Sequence, residues 1–265
     1  MQIAPVLRWP GSKWNLAQWI IENMPPHVHY LEPFFGSGAV FFNKRPSKFE
    51  TINDLDQNVV NLFRVIRDQA EDLAWLISMT LWSRDEYNGS FEQTGDELED
   101  ARRFLVRCQQ AFGANTDRFT GWRSEVKGLS GGGRTTTWKK LPERIMAITD
   151  RLLDAQIENQ PAVELVPRFK HKNVLIYADP PYILGTRTEA RYQHEMTDAD
   201  HLELLSVLDA HPGPVLLSGY AFPLYDDRLK HWQRLTHAAV AERGKHREEV
   251  LWLNPVAANG QQRLF

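Results

Sequence analysis

Tyr30-Leu31-Glu32-Pro33-Phe34-Phe35-Gly36-Ser37-Gly38-Ala39-Val40-Phe41-Phe42 reads as a strand, a glycine-rich turn and the start of a helix. Gly36 and Gly38 let backbone approach a ligand closely, and the helix start behind them presents free N–H groups. The spacing is not a dinucleotide fingerprint, because Phe41 stands where the third glycine of G-x-G-x-x-G would fall. No tight pyrophosphate cradle is therefore expected. Thr51-Ile52-Asn53-Asp54 then places a carboxylate at the end of the next strand, where it can accept from both hydroxyls of a ribose. Asp56-Gln57-Asn58 follows, so a turn or helix-cap role for Asp54 stays open.

Outward from this unit the periodicity predicts helix, strand, helix, strand, helix up to about residue 67. Residues 69 to about 154 read as mostly helical, with 96–112 and 141–153 the clearest amphipathic segments. Strands and helices then alternate again. Residues 156–158 and 215–217 read as strands, 174–178 as a buried strand, and Thr197-x-x-Asp200 opens a helix through Leu208 with a capping-box start. Residues 248–253 are expected to pair with a strand near 234–241 as a final hairpin. The expected fold class is an α/β, doubly wound, Rossmann-like sheet carrying ligands at its carboxyl edge and interrupted by a helical insert. In domain terms, residues 1–67 and 155–265 form one discontinuous domain and 68–154 the insert.

The buried strand Val174-Leu175-Ile176-Tyr177-Ala178 runs directly into Asp179-Pro180-Pro181-Tyr182. That placement points to methyl transfer onto a planar amino nitrogen. Such a nitrogen is a poor nucleophile because its lone pair is delocalised, and two fixed acceptors for its N–H groups correct this. The Asp179 carboxylate and a backbone carbonyl held by two successive prolines supply them, and Tyr182 offers a flat face for stacking. At the N-terminus, Leu7-Arg8-Trp9-Pro10-Gly11-Ser12-Lys13 precedes an apolar-periodic stretch with Trp14, Ala17, Ile20, Ile21 and Met24, for which Ser12 is the expected N-cap.

Together and in this order, the three motifs resemble the Dam-type, or alpha-group, family of DNA adenine-N(6) methyltransferases. That family carries R-W-x-G-S/G-K, E-P-F-x-G-S-G-A-V-F, an acidic ribose binder and D-P-P-Y in the same sequence, with a recognition insert before the last. The likeness covers about residues 7 to 67 and 173 to 254. It implies that Trp9 and Lys13 line the methionine end of S-adenosylmethionine, that Glu32, Phe35, Gly36, Ser37 and Gly38 form the cofactor loop, and that Asp54 is the ribose ligand. Asp179, also beside the cofactor, and the Pro180 carbonyl would accept from the target amine. Pro181 would stiffen that segment and Tyr182 would stack on the extruded base. Leu217-Ser218-Gly219-Tyr220 stands where the family is closer to S-N, and its role stays open.

The implied activity is site-specific methylation of a flipped-out adenine in double-stranded DNA, with no metal and no covalent enzyme intermediate. A cytosine N(4) methyltransferase, a protein-glutamine or RNA methyltransferase, and a catalytically inactive DNA-binding relative remain alternatives. A monomer or weak dimer without an obligate protein partner is expected, in the cytoplasm of a bacterium, where the chain could be phage-encoded.

Composition agrees. The 265 residues are 42% hydrophobic and hold a single cysteine, Cys108, which excludes a disulfide scaffold and fits a reducing compartment. No apolar stretch reaches membrane-spanning length, and residues 1–10 lack a signal peptide's apolar region. The nine histidines are scattered; His27 and His29 read as partly exposed sheet residues rather than metal ligands.

Net charge is −3, yet it is segregated. Acidic residues dominate from Asp68 to Asp100, whereas from Gly113 to Arg144 cations prevail around a glycine run at 131–133 and Thr135-Thr136-Thr137, with Trp122 and Trp138 interleaved. A flexible linker is the bland reading. The density of cations among small hydroxyl residues favours a DNA-contacting loop, with Arg118, Arg123, Lys127, Arg134, Lys139 and Lys140 as the DNA-binding candidates.

Overall fold

The computed structural model describes residues 4–112, 119–124, 133–183, 193–240 and 246–261. Seven strands form one sheet: β1 (His29–Glu32), β2 (Phe49–Asn53), β3 (Ala155–Glu158), β4 (Val174–Ala178), β5 (Val215–Tyr220), β6 (Gln233–Val240) and β7 (His246–Leu253). Their order is β3-β2-β1-β4-β5-β7-β6. The first five are parallel, and β7 runs antiparallel to both neighbours, closing the edge as the expected hairpin.

Alternation along the strands explains the layering. Tyr30, Leu175, Tyr177 and Leu216 point into one apolar cluster, while their neighbours Leu31, Ile176, Ala178 and Leu217 point into another on the opposite face. Buried on both sides, β4 reads as an unbroken apolar run, as central parallel strands do. One face packs against α1 (Ala17–Glu22), α2 (Ala39–Asn43) and α3 (Gln57–Asp68); the other carries α9 (Ala162–Leu165), α10 (Asp198–Asp209) and α11 (Pro223–Arg228). Helix α10 begins with the expected capping box between Thr197 and Asp200.

Between β2 and β3 the described residues are mostly helical, from α3 through α4 (Ala70–Met79), α5 (Arg84–Gly89), α6 (Glu97–Gln110) and α7 (Arg134–Lys139) to α8 (Leu141–Leu153). Leu73, Phe104, Trp138 and Ile145 of this segment share one cluster with Tyr30, Phe35 and Phe63, so a continuous apolar core joins the helices to the sheet. At its base, Lys44 and Arg151 both pair with the buried Glu50.

Two local expectations fail. Ser12 does not cap the first helix: α1 starts at Ala17 after Leu16, and the Ser12 hydroxyl instead meets the Ser37 hydroxyl at 2.7 Å. The polar side chain serves the glycine turn rather than the helix. Trp138 is no exposed loop residue either. It is buried on α7 and its indole N–H donates to the Thr80 carbonyl at 2.9 Å, while residues 134–139 form a helix rather than a loop.

Candidate active site

In a parallel sheet, ligands sit at the carboxyl ends of the strands where connections part to opposite sides. That point here lies between β1 and β4: the chain leaves β1 for β2 and β3, then returns on the other flank of β1 as β4. A cleft of about 440 Å³ opens there, within the range of small-molecule sites. It is lined by Trp9 to Lys13, by the turn from Glu32 to Ser37, by Asn53 to Asp56, by Gln160 to Val163 and by Asp179.

The turn after β1 is shaped by two glycines with positive φ, +47° at Gly36 and +64° at Gly38. A β-carbon on Gly36 would fall 2.7 Å from the Trp9 indole nitrogen, and one on Gly38 would fall 2.5 Å from the Phe35 ring. Both backbone and neighbours therefore require glycine. The carboxylate of Asp54, just beyond β2, accepts from the Gly36 amide at 2.7 Å and from the Asp56 amide at 2.9 Å. Burial pushes its pKa up to about 6 against the pull of these two amides. The helix cap is its neighbour: Asp56 accepts from Asn58 N at the start of α3.

Glu32 ends β1, buried and lining the cleft, and accepts from the Tyr30 hydroxyl at 2.7 Å. Burial raises its carboxyl to about 8; the Tyr30 hydrogen bond opposes that rise and the nearby Asp179 adds to it.

Asp179 is gripped at both oxygens. Ser218, buried in β5, donates to Oδ1 at 2.7 Å, and the Lys13 ammonium lies 3.0 Å from Oδ2. Lys13 also donates to the Gly11 carbonyl at 2.8 Å and sits 4.6 Å from the centre of the Tyr182 ring. Tyr182 in turn lies edge-on to Tyr220, with ring centres 4.6 Å apart, and its hydroxyl donates to Glu249 Oε2 at 2.7 Å. Pro180 is buried and Pro181 half-buried between these groups.

Thus Trp9, Lys13, Glu32, Phe35, Gly36, Ser37, Asp54, Asp179 and Pro181 come together around one cleft, with Gly38 shaping its turn and Tyr182 beside Lys13 and Asp179. The sequence reading left Ser218 and Tyr220 without a role and missed Glu249 and Asn53. Asn53 is buried and bolts three strand ends: its amide donates to the Pro33 carbonyl at 2.8 Å and the Gln160 carbonyl at 3.0 Å, and its oxygen accepts from Gln160 N at 3.0 Å. An Asn closing a buried strand was the available signal.

The cationic candidates lie elsewhere, in the segment between β2 and β3. Lys139 and Lys140 are exposed at the end of α7. Arg134 donates to the Ser124 carbonyl, and the Arg123 amide donates to the Gln110 carbonyl at 2.8 Å, beside the bridge between Ala111 and Trp122. Arg118, Lys127 and the glycines at 128 and 131–132 lie outside the described residues. Among the described residues there is no group of His, Cys, Asp and Glu that could hold a metal, and no helix long and apolar enough to cross a membrane.

Residues 9–241 match the family described as D12 class N6 adenine-specific DNA methyltransferase. A type II methyltransferase, M1.LlaDCHI of Lactococcus lactis subsp. cremoris, is 27% identical over 280 residues, covering 95% of both chains. M.MjaIII of Methanocaldococcus jannaschii is 25% identical over 77% of this chain and 78% of its own. A DNA adenine methylase of Serratia marcescens is 30% identical over 106 residues, 38% of each chain.

Proposed function

The chain belongs to the D12 class N6 adenine-specific DNA methyltransferases, and from that premise we propose that it methylates adenine at a fixed sequence in duplex DNA, with S-adenosylmethionine in the β1–β4 cleft and Asp179 against the target amine. The carrying observation is Asp179 itself, a carboxylate at the switch point of the sheet with Ser218 and Lys13 fixing its two oxygens at 2.7 and 3.0 Å.

The donor set of the cleft fits this cofactor. Asp54 accepts from ribose hydroxyls with the lone pairs that Gly36 N and Asp56 N leave. Glu32, raised to about 8, suits a ligand that brings positive charge, which draws the carboxyl back to its ionised form. When bound, S-adenosylmethionine supplies an activated methyl group on a cationic sulfur. Trp9 packs on Gly36 and closes the turn from above.

The target adenine has to leave the base stack, at a cost of a few kcal/mol. Stacking on Tyr182 returns about 1–3 kcal/mol of it. Asp179 accepts one N–H of the amine and the Pro180 carbonyl accepts the other, so the lone pair is aimed along the line of transfer. Lys13 shares Asp179 Oδ2 with the incoming amine and holds that oxygen in place. Positioning and electrostatics carry the rate, and the surplus proton of the methylated amine would pass to solvent once the methyl group has arrived.

The helical segment, residues 68–154, is assigned to DNA recognition, with the methyltransferase core formed by 1–67 and 155–265. Its cations Arg118, Arg123, Lys127, Arg134, Lys139 and Lys140 would contact DNA, and the protein acts as a monomer or weak dimer in the cytoplasm. Base-modification sequencing of DNA from cells expressing the chain tests the reading. Methylated adenine at one short sequence is the expected result; methylated cytosine, or no mark with folded protein present, overturns it.

A further inference from the structure

Two successive prolines stiffen the backbone up to Pro181, but they leave the side-chain torsions of Tyr182 unset. A stacking platform needs its plane fixed, because a displacement of about 1 Å at a reacting centre costs up to a hundredfold in rate. Three contacts among the described residues bear on the plane of this ring. Lys13 touches its face and Tyr220 meets it edge-on, and both contacts tolerate rotation. The third is directional: the phenol donates to Glu249 Oε2 at 2.7 Å.

Glu249 is unusual in its place. It lies on β7 opposite Tyr220 of β5, so the sheet ladder sets its position, and only 8% of it is exposed. Burying a carboxylate is costly unless hydrogen bonds repay it. We propose that Glu249 is a positioning residue for the methyl transfer, holding the Tyr182 ring in the plane on which the target adenine stacks. Burial, Asp179 and Glu249 hold the Tyr182 phenol well above its usual value, so it remains a donor throughout the working range. The inference rests on the assignment of Tyr182 as the stacking surface.

Single-turnover methylation of plasmid DNA, with cofactor affinity measured alongside, tests it. Glu249→Ala should slow methyl transfer about tenfold with cofactor affinity within about twofold of the parent. Glu249→Gln, whose amide oxygen still accepts, should recover most of that rate. Tyr182→Phe removes the same bond from the other side and should match Glu249→Ala, and the double variant should be no slower than either. If Glu249→Ala fails to fold, the Tyr182→Phe arm and the Gln rescue carry the test. Full activity in both Glu249→Ala and Tyr182→Phe, or strictly additive losses in the double variant, overturns the role of Glu249. Tyr182→Ala separates the two assignments: if it methylates like the parent the stacking surface is wrong, whereas loss there with no effect at Glu249 sinks the positioning claim alone.

Discussion

Carboxylates dominate the cleft, which Glu32, Asp54, Asp56, Asp179, Glu195, Asp200 and Glu203 line beside Lys13, the one Lys or Arg among its described lining residues. On the helical segment the balance reverses at α7, where Lys139 and Lys140 stand exposed in solvent. The groups also differ in how they are held. Asp179, Asp54 and Glu32 each accept hydrogen bonds at 2.7 to 2.9 Å, Asp179 from Ser218 and Asp54 in part from Gly36, both distant in the chain, whereas the two lysines sit on a helix surface. In the proposed reading this contrast divides the labour. A negative cleft attracts a cationic cofactor and repels phosphates, so only a neutral base enters it. The duplex is gathered by cations outside it.

The largest expected effect breaks the cleft side of that comparison. Asp179→Ala should lower methyl transfer about a thousandfold while changing cofactor affinity little, if the carboxylate faces the amine as proposed. Isothermal titration beside a labelled-methyl assay reads both. Equal loss of the two would place Asp179 on the cofactor instead. Next comes Asp54→Ala, which removes the acceptor of the Gly36 amide together with the ribose contact. Cofactor affinity should weaken more than about tenfold. Unchanged affinity would return Asp54 to the role of a turn residue.

A smaller effect concerns the charge of the cleft itself. Glu32, at about 8 against 4.5, binds its proton more tightly folded than unfolded, and Asp54, at about 6 against 3.8, does the same. By linkage both contribute stability that is present below their unfolded values and is lost as pH rises through the folded ones. For Glu32 the window runs from 4.5 to about 8. The cofactor-free parent should therefore melt a few degrees lower at about pH 8 than at about pH 6, and Glu32→Gln should flatten that slope. A steeper fall in the variant would sink the assignment.

The same contrast explains what the sequence disclosed. Elements set by local pattern were legible: the glycine turn at 36–38, the buried run at 174–178, the Thr197 capping box and the final hairpin all form where period and cap residues put them. The cleft motifs were legible because strand ends converge at a switch point whatever their separation. Partners fixed by tertiary packing were not. Ser218 and Glu249 reach Asp179 and Tyr182 from strands 39 and 67 residues further along, and no local signal names them. Ser12 followed the capping rule on paper, but the hydroxyl of Ser37 competes for it across the fold. Trp138 stood among cations in the chain and yet is buried, its indole N–H donating to the Thr80 carbonyl of a segment 58 residues earlier.

The smallest effect sharpens the other half of the comparison. If the helical segment gathers DNA through unspecific charge, removing one exposed lysine should weaken every duplex alike. Lys139→Ala is suited to this, since Lys139 ends α7 in solvent and its loss leaves the buried Trp138 anchor intact. Each phosphate contact adds about 0.9 to the slope of log affinity against log salt, so the variant's slope should be shallower by about one unit. At low salt the affinity for plasmid DNA should drop a few-fold, for methylatable and unmethylatable duplexes equally, with the methylated sequence unchanged. Filter binding across a salt series measures it. A slope identical to the parent's would mean that Lys139 touches no phosphate. A changed sequence preference would instead make it a reader of base edges, and the contrast between a cleft that performs the chemistry and a surface that only gathers DNA would then fail at that residue.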